Sequence, residues 1–198
     1  LRTIPRKKLD ELVSDQVKKC FESEKKVKCV QNQICDECKI LAQSWDLYYQ
    51  SNIPPLYWNL EMEQFEGSKG LIKIYQDIVT DLKQTYSKGL SICLAGSHGS
   101  GKTYVQTNVL KRAAEKGYTC LYVTLNDIVA VMTKAPNDVQ FQGRKEFLTV
   151  DFLVIDEFDP RFMPTDNASA LFGRILEDIF RGRTQSALPT LMCTNSPN

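Results

Sequence analysis

An α/β fold, with a parallel sheet layered between helices, follows from two observations. From residue 71 onward, apolar strand-like runs alternate with amphipathic helical stretches, and strands joined through helices pair in parallel. The turn Gly96-Ser97-His98-Gly99-Ser100-Gly101-Lys102-Thr103 lies between the first strand-like run and a helical pattern. That is the order a phosphate-binding loop requires. A small cysteine-bearing helical module is expected ahead of this core.

Bulk chemistry bounds the class. A chain of 198 residues holds one ordinary domain and an appendage. Its hydrophobic content of 42 % and charged content of 25 % are those of a soluble globular chain. A net charge of +1 gives no strong global field, so any nucleic-acid contact must come from a local patch. No apolar run approaches membrane-spanning length, and residues 1–8 lack the apolar core of a signal peptide. A cytoplasmic protein with no membrane partner is expected, and the absence of an initial Met suggests a start inside a longer product.

Residues 1–28 carry nine basic against five acidic side chains. Leu9, Leu12, Val13, Val17 and Phe21 recur at helical spacing and form one apolar stripe. The plainer reading is a solvated helix packed on its neighbour; the sharper one is a docking surface for a protein or a nucleic-acid backbone. Cys20, Cys29, Cys35 and Cys38 follow in the pattern C-x8-C-x5-C-x2-C. In a reducing compartment such clustering points to metal rather than disulfides, and Cys35 and Cys38 can chelate one tetrahedral ion. Zn²⁺ is preferred over an iron–sulfur cluster, with free cysteines on helices as the alternative. Cys93, Cys120 and Cys193 lie in apolar strand-like runs and read as small buried hydrophobes.

Ile40 to Gln50 reads as an aromatic-rich helix, broken by Asn52-Ile53-Pro54-Pro55. Residues 51–66 read as an extended connector, dividing a module at 1–50 from a core at 67–198. Tyr57 and Trp58 there could stack a nucleobase, although core packing is the commoner fate of such rings. Leu71 to Tyr86 reads as one amphipathic helix with a C-cap near Gly89. Leu90–Ala95 is the first strand and Tyr104–Lys116 the helix after the loop. Tyr118–Val123 is a second buried strand, and Asn126 is the expected cap of a helix over 127–133. Phe152–Ile155, a helix over 168–180 and Pro189–Asn195 complete the pattern.

The glycines of the loop let successive backbone N–H groups point inward at phosphate oxygens, aided by the positive end of the helix. Lys102 supplies charge to the β- and γ-phosphates, and the Thr103 hydroxyl can ligate Mg²⁺. An ordinary strand–helix turn explains neither the glycines nor the Lys-Thr pair. Phe152-Leu153-Val154-Ile155-Asp156-Glu157 ends a buried strand in two acids, at the edge of the sheet where the loop lies. Asp156 suits Mg²⁺, and Glu157 suits activation of the water that attacks the γ-phosphorus. A strand that merely ends in surface acids is the competing reading. A GTPase would show a base-reading Asn-Lys-x-Asp motif, which is missing, so ATP hydrolysis is favoured. Asn195, closing the fourth strand, can hydrogen-bond the γ-phosphate or the lytic water if that strand lies beside Asp156.

Ala95 to Thr103, Leu153 to Glu157 and Pro189 to Asn195 together resemble the AAA+ ATPases of the DnaC/DnaI helicase-loader and IstB transposition-helper group. Ser51 to Tyr57 resembles the lead-in to that group's ATPase domain, and the cysteine module is similar to the zinc-binding, helicase-docking domain of the DnaI type. The resemblance implies an AAA+ RecA-like P-loop core and Walker A, Walker B and sensor I roles for the three motifs. It also implies a homo-oligomeric ring or spiral in which an arginine completes the neighbour's site. That arginine, a fifth strand and a helical lid would follow the sensor I strand, where only Ser196-Pro197-Asn198 remain. A core truncated after sensor I, without its lid, is therefore expected. Arg161, Arg174, Arg181 and Arg183 could face a neighbour, but none stands at the expected position.

The leading expectation is an ATP-dependent loader that docks a DnaB-like hexameric replicative helicase through residues 1–50 and grips single-stranded DNA. Lys111, Arg112 and Lys116, or residues 134–144, could meet DNA phosphates, and could equally be solvated charges. Two alternatives share the motifs: an IstB-like helper that delivers a transposase to duplex DNA, and a nucleotide-dependent adaptor switch.

Overall fold

Four strands, β1 (Ile92–Ala95), β2 (Cys120–Thr124), β3 (Phe152–Asp156) and β4 (Thr190–Thr194), pair in parallel in the order β1-β4-β3-β2. The structure, a computed structural model, describes residues 4–22, 35–159, 161 and 168–195. β4 sits between the strand that leads into the glycine-rich loop and the strand that ends in Asp156, pairing Leu94 with Cys193 and Ile155 with Met192. This is the neighbour relation that the reading of Asn195 needs.

Side chains of a strand alternate between faces, and here the alternation feeds two apolar layers. Cys120, Tyr122, Phe152, Val154 and Leu191 join one cluster with Val109 and Leu110 of α5 (Lys102–Glu115). Leu121, Val123, Leu153 and Ile155 join another with Ile128 of α6 (Leu125–Lys134), Phe147 of α7 (Asn137–Thr149) and Ile179 of α8 (Ala168–Gln185). All of β3 is buried, which is why it is apolar until its last residue. Cys120 and Cys193 are buried as expected, but Cys93 is exposed. It lies on an outer strand of the described sheet, and its neighbour Leu94 takes the face toward Val105 of α5.

The N-terminal helices α1 (Arg6–Glu22) and α2 (Asp36–Gln50) bring Leu9, Trp45, Tyr48 and Tyr49 into the α5 layer. The stretch that reads as an extended connector is instead folded into 3₁₀ turns at Pro55–Tyr57 and Met62–Gln64. The cause is Trp58, too large to leave in water. It is 2 % exposed, packs 6.0 Å from Trp45 and donates its indole N–H to Ile53 O at 2.8 Å. Residues 51 and 52 also cover the outer edge of β2: Tyr122 N–H donates to Ser51 O at 2.8 Å, and Asn52 Nδ2 donates to Tyr122 O at 2.9 Å. That closes an edge that would otherwise present unpaired backbone groups.

Three further local expectations give way. Leu71 to Tyr86 is two helices, α3 (Lys69–Val79) and α4 (Leu82–Ser87), because Asp81 leaves the helical region and accepts from Gln84 N–H at 2.8 Å to cap the second. Thr124, not Asn126, caps α6, in a reciprocal box with Asp127. Residues 137–149, assigned no element beforehand, form α7 behind Pro136. A Cβ on Gly182 would lie 2.7 Å from Leu148 Cδ2, so the Leu148 side chain would have to shift to admit a larger residue there.

Arg183 locks this layer to the sheet. It is 1 % exposed and uses all five N–H donors: to Thr190 Oγ1, and to the carbonyls of Phe147, Val150, Asp151 and Pro189 at 2.6–3.3 Å. Burial pulls its pKa down to about 10, with Asp151 partly opposing, and it stays a cation at neutral pH. It is therefore a structural residue and cannot face a neighbouring subunit. Arg183→Met should cost about 3 kcal/mol, because the Phe147, Val150 and Asp151 carbonyls lose this donor, while Pro189 O keeps only Leu153 N–H at 3.2 Å. Thermal unfolding should show a Tm lower by roughly 10 °C for a domain of this size; a fall of only a degree or two would mean that water or backbone shifts replace those bonds.

Candidate functional site

β1 runs straight into the loop, whose first amide, Gly96 N–H, donates to Thr194 O on β4 at 3.3 Å. Gly99 (φ 73°) and Gly101 (φ 92°) take left-handed conformations that L side chains resist. Gly101 has a second reason to be glycine, since a Cβ there would lie 2.4 Å from the Phe65 ring. α5 begins at Lys102 with no side chain capping it and no acid in its first turn. Its first N–H groups, unpaired within the helix, carry the positive end of the helix dipole into the loop. The Lys102 ammonium is folded back onto Gly96 O and Ser97 O at 2.8 Å and Ser100 Oγ at 3.2 Å. Phosphate oxygens would take over from these neutral acceptors.

Across the cleft stands the Asp156 carboxylate, 2 % exposed. Its Oδ2 accepts from Thr103 Oγ1 at 2.8 Å and from the Tyr122 hydroxyl at 2.6 Å. Its Oδ1 accepts from Glu157 N–H at 2.7 Å and from the Cys193 thiol. Burial and the facing carboxylate push the Cys193 thiol pKa up to about 12, so it remains a donor. Glu157 is exposed and adopts φ 51°, a strained conformation for a non-glycine residue that costs of order 1–3 kcal/mol. The strain carries the chain out of β3 and leaves the Glu157 side chain at the cleft.

One cavity of about 290 Å³ is bounded by residues 98–104 on one side and by Tyr57, Asp156, Glu157, Cys193 and Asn195 on the others. The structure thus gathers His98, Gly99, Ser100, Gly101, Lys102, Thr103, Asp156, Glu157 and Asn195 around one space, with Gly96 and Ser97 behind it as acceptors for Lys102. Thr103 and Asp156 offer oxygen donors to it, a hydroxyl and a carboxylate, which suit a hard ion such as Mg²⁺. Sequence reading missed Tyr122 and Cys193 at Asp156, because strand alternation shows which face a residue takes but not which polar tips meet on it. Tyr57 lines the cavity, while Trp58 is core.

The basic residues of α5 proposed for DNA contact are largely occupied. Lys111 is fully buried, and its ammonium donates to Leu60 O at 2.6 Å and Glu61 Oε1 at 3.0 Å. Arg112 bonds Glu61 and Glu115 at 2.8 and 3.0 Å.

A second cluster lies at the N-terminal helices. The sulfurs of Cys20, Cys35 and Cys38 lie within 4.8 Å of one another, and Cys20 Sγ is 4.0 Å from Cys35 Sγ. Tetrahedral Zn²⁺ with Zn–S bonds of about 2.3 Å places its sulfurs roughly 3.8 Å apart, so the three fit that ion. Burial and the neighbouring thiols push the Cys38 pKa up to about 12, the state a divalent cation would reverse. Cys35 also caps α2, its sulfur accepting from Cys38 N–H at 3.4 Å. Cys29, the fourth expected ligand, lies outside the described residues. Among the described residues, no helix is long and apolar enough to cross a membrane.

Comparison with solved structures shows the same fold. DnaI aligns at 18 % identity with a TM-score of 0.59, covering 73 % of this chain and 76 % of that one. The replication initiator DnaA bound to AMPPCP and single-stranded DNA aligns at 19 % and 0.59, covering 73 % and 43 %. Domain III of Thermotoga maritima DnaA aligns at 21 % and 0.54, covering 73 % and 58 %. The chain therefore spans less than half of the DnaA structure. No curated protein sequence matches it significantly. The family model for IstB-like ATP-binding proteins matches residues 59–188, from the 3₁₀ turns through to the approach to β4. With the loop, the acids and the inserted strand in place, the chain belongs to the IstB-like ATP-binding protein family.

Proposed function

We propose that this protein hydrolyses ATP and uses the cycle to load a DnaB-like hexameric replicative helicase onto single-stranded DNA. The observation that carries the ATPase part is the single cavity shared by the phosphate loop, Asp156-Glu157 and Asn195. Lys102 leaves its loop carbonyls for the β- and γ-phosphates, while the loop amides and the start of α5 bind the remaining oxygens. Thr103 would hold Mg²⁺ directly and Asp156 would hold it through water, and the ion would neutralise charge developing on the phosphates. Glu157 takes a proton from the attacking water, and Asn195 orients that water or the γ-phosphate. The helicase and DNA parts rest on likeness to DnaI and to DnaA, whose structure holds AMPPCP and single-stranded DNA. Residues 1–50, with Zn²⁺ on Cys20, Cys29, Cys35 and Cys38, serve as the docking module, and the ATPase units assemble as a ring or spiral.

DNA contact falls to α7 and the end of α6. Phe141 of α7 is 72 % exposed, with Lys145 one turn on and Lys134 at the end of α6 also exposed. An aromatic face among cations is how single strands are gripped without sequence preference. A second reading is favoured by the family match itself: an IstB-like helper for DNA transposition, assembling on duplex DNA with ATP and without a helicase.

Glu157→Gln should lower kcat roughly 100-fold or more while the Kd for ATP changes less than about threefold. Loss of nucleotide binding would make Glu157 structural, and unchanged turnover would favour the adaptor switch. Elemental analysis should find about one zinc per chain, lost in Cys38→Ser, and that variant should fail to co-purify the helicase while still binding ATP. Helicase binding unaffected by metal loss would sink the docking assignment. Phe141→Ala should weaken single-stranded DNA binding by about tenfold in fluorescence anisotropy; tighter binding to duplex, with no effect of this change, would favour the transposition reading.

A further inference from the structure

We infer that Tyr122 is a positioning residue for Asp156: its phenol fixes the carboxylate so that Thr103 presents its oxygen lone pairs to the metal of a bound Mg²⁺–nucleotide. The inference rests on the nucleotide-binding reading of the site. Tyr122 lies on β2, where Thr124 is the residue in register with Asp156. Two positions earlier on the same face, its side chain runs diagonally across the sheet to Asp156 Oδ2 at 2.6 Å. It is 7 % exposed and does not border the cavity, so it touches no ligand and acts through the carboxylate.

Four donors fill the four lone-pair positions of that carboxylate. Oδ1 takes Glu157 N–H and the Cys193 thiol; Oδ2 takes Thr103 and Tyr122. A phenol is protonated at neutral pH and can only donate to an ionised carboxylate. With Oδ2 held on one side by Tyr122, its remaining position accepts the Thr103 hydroxyl hydrogen, which turns the oxygen lone pairs of Thr103 outward. Remove the phenol and Oδ2 keeps a single donor, so the carboxylate can rotate and the Thr103 hydrogen loses its fixed acceptor direction. The loss falls on metal binding, because the loop amides and Lys102, which bind phosphate, are not in this network. Tyr122 is itself held at both backbone groups, by Ser51 O and Asn52 Nδ2.

The test is a Mg²⁺ titration of the full chain with a fluorescent ATP analogue. Phenylalanine fills the space of tyrosine without its hydroxyl, and Thr103 still partners Oδ2, so Tyr122→Phe should fold. Its Mg²⁺ midpoint should rise about tenfold while the analogue Kd in EDTA stays within twofold and Tm changes little. In an Asp156→Asn background the same substitution should move the midpoint less than twofold, as expected of a residue that works through Asp156. An unchanged midpoint in Tyr122→Phe, an equal loss of affinity in EDTA, or a full effect in the Asp156→Asn background would overturn the inference. If the wild-type chain binds the analogue equally with and without Mg²⁺, the metal–nucleotide reading falls first, and the inference with it.

Discussion

The ionised carboxylate of Asp156, taken out of water, is the constraint on which the site depends. A buried carboxylate without partners is costly enough to protonate or to displace the chain around it. Here it survives because donors arrive from separate elements: Thr103 from α5, Tyr122 from β2, Cys193 from β4 and the Glu157 amide at the end of its own strand. Cys193 and Tyr122 can reach it only if β4 is inserted beside β3 and β2 lies on its other side. Strand order and site geometry are thus one requirement. A shift of one residue in the pairing of β2 would send Tyr122 to the opposite layer and leave Oδ2 with a single donor.

Glu157 shows how that requirement reaches the cleft. The chain turns at a left-handed non-glycine residue, and the same turn lets Glu157 N–H close on Asp156 Oδ1. The hydrogen bond to an ionised acceptor offsets part of the backbone strain. Glycine would relieve the strain but remove the side chain the cleft holds. The site keeps the acid and accepts the strain.

Much of this was legible beforehand, for definite reasons. The loop, the apolar run into Asp156-Glu157 and the strand ending at Asn195 are local patterns, each written in consecutive residues, and the parallel sheet follows from their alternation. What was not legible is what side chains do once the chain folds, most of it through contacts distant in sequence. Lys111 looks like any solvated helix cation until Trp58, Leu60 and Glu61 fold over it. Arg183 looks like a candidate for a neighbour's active site until four carbonyls from three segments surround it. Asp81 divides a continuous apolar pattern because its side chain captures a backbone amide, a local event that periodicity does not register. Tyr122 reads as one more strand aromatic, since nothing near it in sequence announces a carboxylate.

The folded stretch between α2 and α3 is where these long-range contacts converge. Trp58 packs on Trp45 of α2, and its carbonyl accepts from the buried Lys111 ammonium at 3.4 Å. The same ammonium lies 5.5 Å from the centre of the Tyr48 ring. Burial lowers the Lys111 pKa, with Glu61 partly opposing, where α5 meets the N-terminal helices. Glu61 O then accepts from Tyr104 at 2.6 Å, and the Tyr104 ring packs 5.0 Å from Phe65, which rests on Gly101. Every link from α2 to the phosphate loop is a packed ring or a hydrogen bond to a buried or half-buried group. Breaking the Glu61 link alone would strand a buried cation, a cost of several kcal/mol. The N-terminal helices and the loop therefore share one framework, in which the Phe65 ring occupies the space a Cβ on Gly101 would take.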